Sequence, residues 1–483
     1  MTFNKLGGIY YNETTEVTKL DYGGSIPCFI GRTVNPEYLK KQTVEADPTA
    51  NPPVEAVTYS TLKTQAETGR KINQLQLFNN FEQVNRSVAN GGLGDYDTEK
   101  DTNPLLKFIH DFCEETKLMT EEYVACPYFY VVDLGVAENL TDWISAIETP
   151  KLKREIDYEV YIGWDTVKTE TTNDNVTTKT ITCPTIKDGN NNADFTSFIL
   201  AVNYDLQVNR ATIGDFRKAF YSICKIDSTS KKYKGETYYK DSANYLTIDN
   251  ELLTLTELLA TNNDTNISNN AIATVSPATN TLSKSRIYVC EPLHFGKIVG
   301  RISITPYDME PGYYAYNTLS IDDIILRKPS EQLQLQIGGV IFNHLEETST
   351  EEYIKINRTQ SVSSRLNNHP PDSLYQSRNL VDYLVTKLFD ICYPQLKNKE
   401  TETNIEYLQT QVNKAINDSI ADNDFIPPYT VGNERKGTFM SVQESVDDAY
   451  DIELVGMIQP VNCTYSIHIV AQINDAKIRV TQS

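Results

Sequence analysis

Asn462-Cys463-Thr464-Tyr465-Ser466-Ile467-His468-Ile469-Val470-Ala471-Gln472-Ile473, then Asn474-Asp475, then Ala476-Lys477-Ile478-Arg479-Val480-Thr481, is the stretch on which the architecture turns. Cys463, Tyr465, Ile467, Ile469, Ala471 and Ile473 share one face, against Asn462, Thr464, Ser466, His468 and Gln472 on the other. That is the two-residue period of a strand covered on one side only. Beyond the Asn474-Asp475 turn, Ala476, Ile478 and Val480 repeat the pattern, with Lys477, Arg479 and Thr481 between them. A chain that ends in a strand with nothing after it to pair its free edge offers that edge to another chain. The terminal stretch therefore predicts an assembly device.

Composition narrows the partners. The chain has 483 residues, enough for two to four domains. Its 44 Lys+Arg stand against 65 Asp+Glu, a net charge of −21. Such a balance argues against general phosphate-backbone binding, which needs clustered cations to release counterions. No apolar run approaches the roughly 20 residues of a membrane-spanning helix, and Met1-Thr2-Phe3-Asn4-Lys5 lacks a signal-peptide core, so synthesis and folding in a cytosol are expected. The eight cysteines are scattered singly without a C-x-x-C pair and read as buried free thiols. Thirty tyrosines suit strand and interface surface, because tyrosine covers apolar area while keeping one polar tip.

Along the chain, Ile9, Tyr10, Tyr11 and Val17 stand in a polar background and predict an extended arm. Ser25 to Gly31 reads as a buried strand. Residues 36 to about 118 look inserted, with a Pro/Thr/Asn-rich part near Asp47 to Pro53, a helix over Leu62 to Val88 and a flexible Gly91 to Gly94 loop. From Tyr123 the pattern is β-α-β: Tyr128 to Leu134 strand, Leu140 to Ile147 helix, Tyr158 to Ile162 strand. Phe195 to Cys224 predicts one or two helices, Asn262 to Asn280 a loop, Arg286 to Val289 a strand, and Pro292 to Ile304 a helix with Gly296 and Gly300 four apart. In the last third, one helix has Val381, Leu384, Val385, Leu388 and Cys392 on a stripe, and a second has Ile405, Leu408, Val412, Ile416 and Ile420. Strands at Thr438 to Val442 and Asp451 to Met457 follow, so this part predicts two helices packed on a sheet.

Candidate chemical sites are weak. Asp95, Asp97, Glu99 and Asp101 match the first positions of a calcium loop, but Lys100 stands where the turn needs glycine and Leu106 where the bidentate glutamate belongs. His110, Asp111, Cys113, Glu114 and Glu115 offer two metal ligands on one helix face at best. Asp188 to Asp194 is an Asx-rich turn. H-E-x-x-H, G-x-x-x-x-G-K-[ST], G-x-S-x-G and G-x-G-x-x-G are all absent from the sequence, and none of the five histidines has a recognisable catalytic context. The expectation is no enzyme, no catalytic residue, no metal and no cofactor.

Five blocks carry a family resemblance. Gly7-Gly8-Ile9-Tyr10 with Gly24-Ser25-Ile26-Pro27-Cys28-Phe29-Ile30-Gly31-Arg32-Thr33 resembles the "PGVY" arm and "GxxAFxGxT" strand that open contractile tail sheath proteins of phages and related injection machines. Phe295 to Arg301 within Pro292 to Asp308 resembles that family's "PSGxVAGxxAR" helix, and Gln334 to Ile341 its "LNxxGINxI" stretch before a strand, here Tyr353 to Ile356. Arg378-Asn379-Leu380-Val381 resembles "VRRLxxxIxxSI", with Asn379 where a second arginine is usual. Leu454 to Ile473 resembles the closing "VAPVxPAExIxxxI" strand. The blocks stand in the family's order over about half the chain, while 36–118 matches nothing known in it.

The resemblance implies an α/β (α+β multidomain) fold: a subtilisin-like α/β middle domain that is not a protease, a C-terminal α/β domain, and extended β-arms at both ends. Its implied divisions are 1–21 N-terminal arm, 22–35 first core strand, 36–118 insertion, 119–350 subtilisin-like domain, 351–473 C-terminal domain and 474–483 C-terminal arm. It implies hexameric rings stacked into a helical sheath around an inner tail tube, between a baseplate and a tail terminator, within a virion assembled in host cytoplasm, with neither nucleic acid nor membrane bound. Ile9, Tyr10, Tyr11, Val17, Ile467, Ile469, Ile473, Ala476, Ile478 and Val480 become the expected subunit interface, with hinges at Thr18 to Gly24 and Asn474-Asp475. A non-contractile structural protein, such as a baseplate or surface-layer component, is the alternative, and a hydrolase with a dispersed carboxylate pair a more distant one.

Overall fold

The computed structural model describes residues 25–32, 39–44, 57–62, 69–94, 104–117, 126, 128–135, 140–153, 155–163, 169–173, 176–180, 217–223, 249–250, 252–257, 259, 286–307, 309–313, 315–316, 318–347, 351–362, 374–392, 402–422, 424–444, 452–461, 468–472 and 477–481. Internal contacts divide the chain into one unit of 1–306 with 311–370 and another of 307–310 with 371–483.

The first unit carries strands β1 (Pro27–Gly31), β2 (Leu39–Val44), β3 (Val57–Leu62) and β4 (Leu75–Phe78), helix α1 (Pro104–Thr116), β5 (Phe129–Asp133), α2 (Leu140–Glu148), β6 (Tyr158–Ile162), β7 (Thr169–Asn173), β8 (Val176–Thr180), β9 (Lys218–Tyr221) and β10 (Ile287–Cys290). It continues with α3 (Phe295–Ile304), α4 (Pro329–Gly338), β11 (Val340–Ile341), β12 (Asn343–Glu347) and β13 (Glu352–Ile356). Seven strands form one sheet in the order β11-β10-β9-β6-β1-β5-β4. All neighbours run parallel except β4, which lies antiparallel to β5 at the edge.

β1 is buried along its whole length because both faces of the sheet are covered, as parallel sheets require. On one face Phe29 meets Phe108 and Phe112 of α1, with ring centroids 5.0 and 4.7 Å away. On the other, Cys28 and Ile30 join Tyr130, Val132, Trp143, Tyr161, Val289 and Leu335 in the main core. α1 and α3 approach unusually closely. A Cβ on Gly296 would stand 2.3 Å from the Phe108 carbonyl oxygen, and one on Gly300 would stand 2.9 Å from Glu115 Cβ. The buried Arg301 Nε then donates to Glu115 Oε1 at 2.8 Å, joining segments 186 residues apart.

Several expectations are revised in the first unit. The helix expected over Leu62 to Val88 is replaced by the end of β3, the edge strand β4 and a short helix at Phe81–Val84. β4 forms because its backbone pairs with β5, from Leu75 opposite Val132 to Phe78 opposite Phe129, and Asn80 caps the short helix by accepting from the Gln83 N–H. The Gly91 to Gly94 stretch, expected to be flexible, is a bonded turn: the Leu93 N–H donates to the Val84 carbonyl at 2.8 Å and Leu93 is buried. Where Phe195 to Cys224 predicted helix, the described end is strand β9, enclosed between β6 and β10.

The stretch read as an insertion, 36–118, also contributes to the body. β4 and α1 belong to the large sheet and its cover, while β2 and β3 pair with the β7–β8 hairpin in a four-stranded sheet. The β12–β13 hairpin spans the expected division at 350/351, and the contact boundary falls at 370/371.

The second unit contains α5 (Tyr375–Cys392), α6 (Glu402–Ala421) and strands β14 (Tyr429–Val431), β15 (Glu434–Lys436), β16 (Phe439–Glu444), β17 (Ile452–Met457), β18 (His468–Gln472) and β19 (Lys477–Thr481). Leu380, Leu384 and Leu388 of α5 pack with Leu408, Val412, Ala415 and Ile416 of α6, closed by Phe425 and Val442. The predicted α6 stripe is the one observed. On α5, Leu380 lies in this cluster, while Val385 is only half-buried.

The α1–α3 contact yields a prediction. Gly296→Ala forces a methyl group against the backbone of α1 and is expected to lower the unfolding free energy by about 1–3 kcal/mol. Urea denaturation of the variant beside the native chain reads this directly.

Candidate functional site

Of the expected interface residues, Ile9, Tyr10, Tyr11, Val17, Ile467, Ile473 and Ala476 lie outside the described residues, as do the acidic loop 95–101, the 188–194 turn, the 262–280 loop and the hinge 18–24. Ile469, Ile478 and Val480 are described within β18 and β19. These two strands pair antiparallel, Ile469 opposite Val480 and Ala471 opposite Ile478, so the four positions share one face of a two-stranded ribbon. The register sets Gln472 opposite Lys477, and the expected Asn474-Asp475 hinge lies outside the described residues. Among the described residues the ribbon joins no other strand, and each of its strands has one edge without a strand partner.

The other notable edges belong to β16 and β17, which also form a sheet of only two strands, with Phe439 opposite Met457 and Glu444 opposite Ile452. Val442 is buried and Leu454 half-buried on the helix side, while Val455 (47% exposed) and Met457 (38%) face away. Gln409, on α6, reaches the outer edge of β16. Its Oε1 accepts from the Val442 N–H at 2.7 Å, and its Nε2 donates to the Met440 carbonyl at 3.1 Å.

Because residues directly opposite in an antiparallel ladder alternate between bonded and non-bonded pairs, this direction fixes the rest. Met440 and Val442 turn their backbone away from β17, so their opposite numbers Gly456 and Leu454 turn theirs to the far edge. Sequence reasoning found both strands and both helices. It missed Gln409, for which a lone glutamine on a helix gives no signal.

Two charged clusters complete the candidates. His110, Asp111 and Glu114 gather three possible ligands where spacing predicted two, because the His110 ring reaches both acids: Nδ1 lies 3.3 Å from Asp111 Oδ1 and Nε2 3.6 Å from Glu114 Oε1. The acids also face ammonium groups, Lys107 at 3.3 Å from Asp111 and Lys297 at 3.7 Å from Glu114. Burial pushes the Asp111 carboxyl up, but the His110 hydrogen bond and the Lys107 charge outweigh it and hold it below its ordinary value. The two acids are thus met by His110 and by ammonium groups on α1 and α3, with Asp111 buried and Glu114 exposed.

At the carboxyl ends of β10 and β11, where open α/β sheets hold ligands, Arg327 donates to both Asp249 oxygens at 2.9 and 3.0 Å and to Glu291 at 3.0 Å. Glu291 Oε1 accepts from the Asn343 N–H at 2.6 Å. Burial pushes the Glu291 carboxyl above its ordinary range despite Arg327. These oxygens hold loops together and are committed to protein partners.

No protein-family model and no curated protein matches the chain. Among solved structures, the helical sheath of the anti-feeding prophage (AFP) in the contracted state aligns at 8% identity and a TM-score of 0.48, covering 98% of this chain and 100% of that one. The AFP baseplate, 6-fold symmetrised, aligns at 9% identity and 0.46 over 97% and 99%. The PVC sheath complex of an extracellular contractile injection system, in the contracted state, aligns at 9% and 0.48 over 98% and 99%. No helix among the described residues is long and apolar enough to cross a membrane.

Two half-buried histidines give the first unit a pH dependence. Burial lowers the pKa of His294, whose Nε2 lies 2.9 Å from the Asp323 carbonyl, with Asp111 opposing the shift and Lys297 and Lys107 reinforcing it. Burial lowers that of His344 too, against Glu346 and with Lys355. A depressed histidine binds its proton more weakly folded than unfolded, so the stability it contributes is present above about pH 6.5 and is lost as pH falls toward the folded pKa. The denaturation midpoint is therefore expected to drop between pH 7 and 5, with each histidine contributing at most about 1.4 kcal/mol per pH unit. His294→Asn, which keeps a residue tolerant of the left-handed backbone at that site, is expected to flatten the slope.

Proposed function

We propose that this chain is the structural subunit of a contractile tail sheath, which polymerises around an inner tail tube and contracts to drive the tube through a target cell envelope. The observation that carries the reading is a match between two parts of the second unit: a ribbon whose outer edges, among the described residues, bear no strand, and a two-stranded sheet whose β17 edge likewise bears none. Supporting it, the described parts of the resemblance blocks fall on β1, α3, α4 to β11, α5, β17 and β18. The mostly parallel seven-stranded sheet supports the subtilisin-like reading of 119–350, and the committed carboxylates support a non-enzymatic role without cofactor or metal.

In this mechanism the ribbon of one copy lays β19 along β17 of the next, and the N-terminal arm, with Ile9, Tyr10, Tyr11 and Val17, makes a second link. β19 alternates Ile478 and Val480 with Lys477, Arg479 and Thr481, which suits a strand carrying Glu453 between Ile452 and Leu454. Each main-chain hydrogen bond contributes about 0.5–1.5 kcal/mol net, and burial of Ile478 and Val480 about 1.5–3 kcal/mol apiece. One link is modest; several per subunit, in hexameric rings stacked into a helix, gain avidity. Because the linking segments are extended, the bodies can rotate and repack while the links persist, so stored free energy resides in body-to-body contacts that differ between two states. Tube, baseplate and terminator are the other partners, in a virion.

Deleting residues 474–483 removes β19 and the turn before it. The truncated chain is expected to stay folded by circular dichroism yet sediment as a monomer, while the full chain forms tubes or rings of uniform width in negative-stain microscopy. Normal tubes from the truncation would sink the strand-exchange reading, and a full chain forming neither tubes nor rings would favour a baseplate-like component.

A further inference from the structure

The β16–β17 sheet of the second unit has two edges, and Gln409 covers one of them. A primary amide offers a carbonyl and an N–H in the geometry of a peptide group, so Gln409 stands on β16 as one residue of a strand would. The amide is held there: its Nε2 also donates to Asn413 Oδ1 at 2.9 Å, four residues on along α6. Only one orientation satisfies both backbone partners, because the Val442 N–H needs an acceptor and the Met440 carbonyl a donor. On the far edge, the outward backbone of Leu454 and Gly456 has no such cover among the described residues.

We propose that Gln409 is an edge guard: it directs the strand of a second copy to β17 and denies it β16. The inference rests on the strand-exchange reading above and adds the residue that sets its polarity. A strand arriving at β17 displaces only water, whereas one arriving at β16 must first break two protein hydrogen bonds. At ordinary net strengths, losing two bonds corresponds to a preference of roughly 5- to 150-fold for β17. Without the guard, either edge of one subunit could take a neighbour's strand, and the growing lattice would branch.

The test uses a fluorescent synthetic peptide of residues 474–483, titrated into the full-length chain below its assembly concentration, with stoichiometry read by analytical ultracentrifugation. The native chain is expected to take one peptide. Gln409→Ala, a helix-favouring change, is expected to take two and to speed exchange of the Val442 amide. Asn413→Ala, which removes only the tether, is expected to open the second site with weaker affinity than Gln409→Ala does. A folded Gln409→Ala chain that still takes one peptide, or a native chain that takes two, overturns the guard and leaves strand exchange standing. A native chain that takes none overturns strand exchange, and the guard with it.

Discussion

A backbone N–H or C=O group left without a partner is costly when buried and adhesive when exposed, and the architecture follows from how each strand meets that constraint. In the large sheet, five strands lie between two others and satisfy both sides. The sheet ends on a short antiparallel strand, β4, and on β11, which is only two residues long. The second unit resolves the same constraint incompletely. Among the described residues its strands occur in pairs, so each has an outer side, and one of those sides is met by a side-chain amide in place of a strand.

The buried charges obey a related logic at longer range. Arg301–Glu115, Arg327–Asp249, Arg217–Glu159 and Arg70–Asp133 are ion pairs between segments far apart in the chain, each almost wholly removed from solvent. Taking such ions out of water costs about as much as their attraction returns, so they add little net stability. Losing one partner, however, would strand the other, so they penalise misplacement of α3 on α1 or of the 327 loop on β10. Glu115 shows the tension: burial pushes its carboxyl up, and Arg301 and Thr318 pull it only part of the way back.

Much of this was legible in the chain itself, wherever pattern and environment agree. β1, β5 and β6 are mainly apolar because they are covered on both faces, with Asp133 and Glu159 buried against Arg70 and Arg217, and α6 shows a clean three-four stripe because only one side packs. β4 was misread because Leu75-Gln76-Leu77-Phe78 is short enough to suit either period, and its pairing with β5 decides the outcome. β9 was hidden because Lys218 and Tyr221 look like surface residues, although both are buried. Gln409 was illegible in principle: what it does depends on a strand more than thirty residues further along.

The position of β1 has a consequence for biosynthesis. The first strand of the large sheet to leave the ribosome lies inside it, between partners at 129–133 and 158–162. Until about a hundred further residues have been translated, Cys28, Phe29 and Ile30 have no sheet to enter. For that interval an apolar, β-prone segment is exposed on the nascent chain, where association with other chains competes with folding. Burial of β1 therefore waits for translation of β5 and β6, which ties the order of folding in the first unit to the order of synthesis.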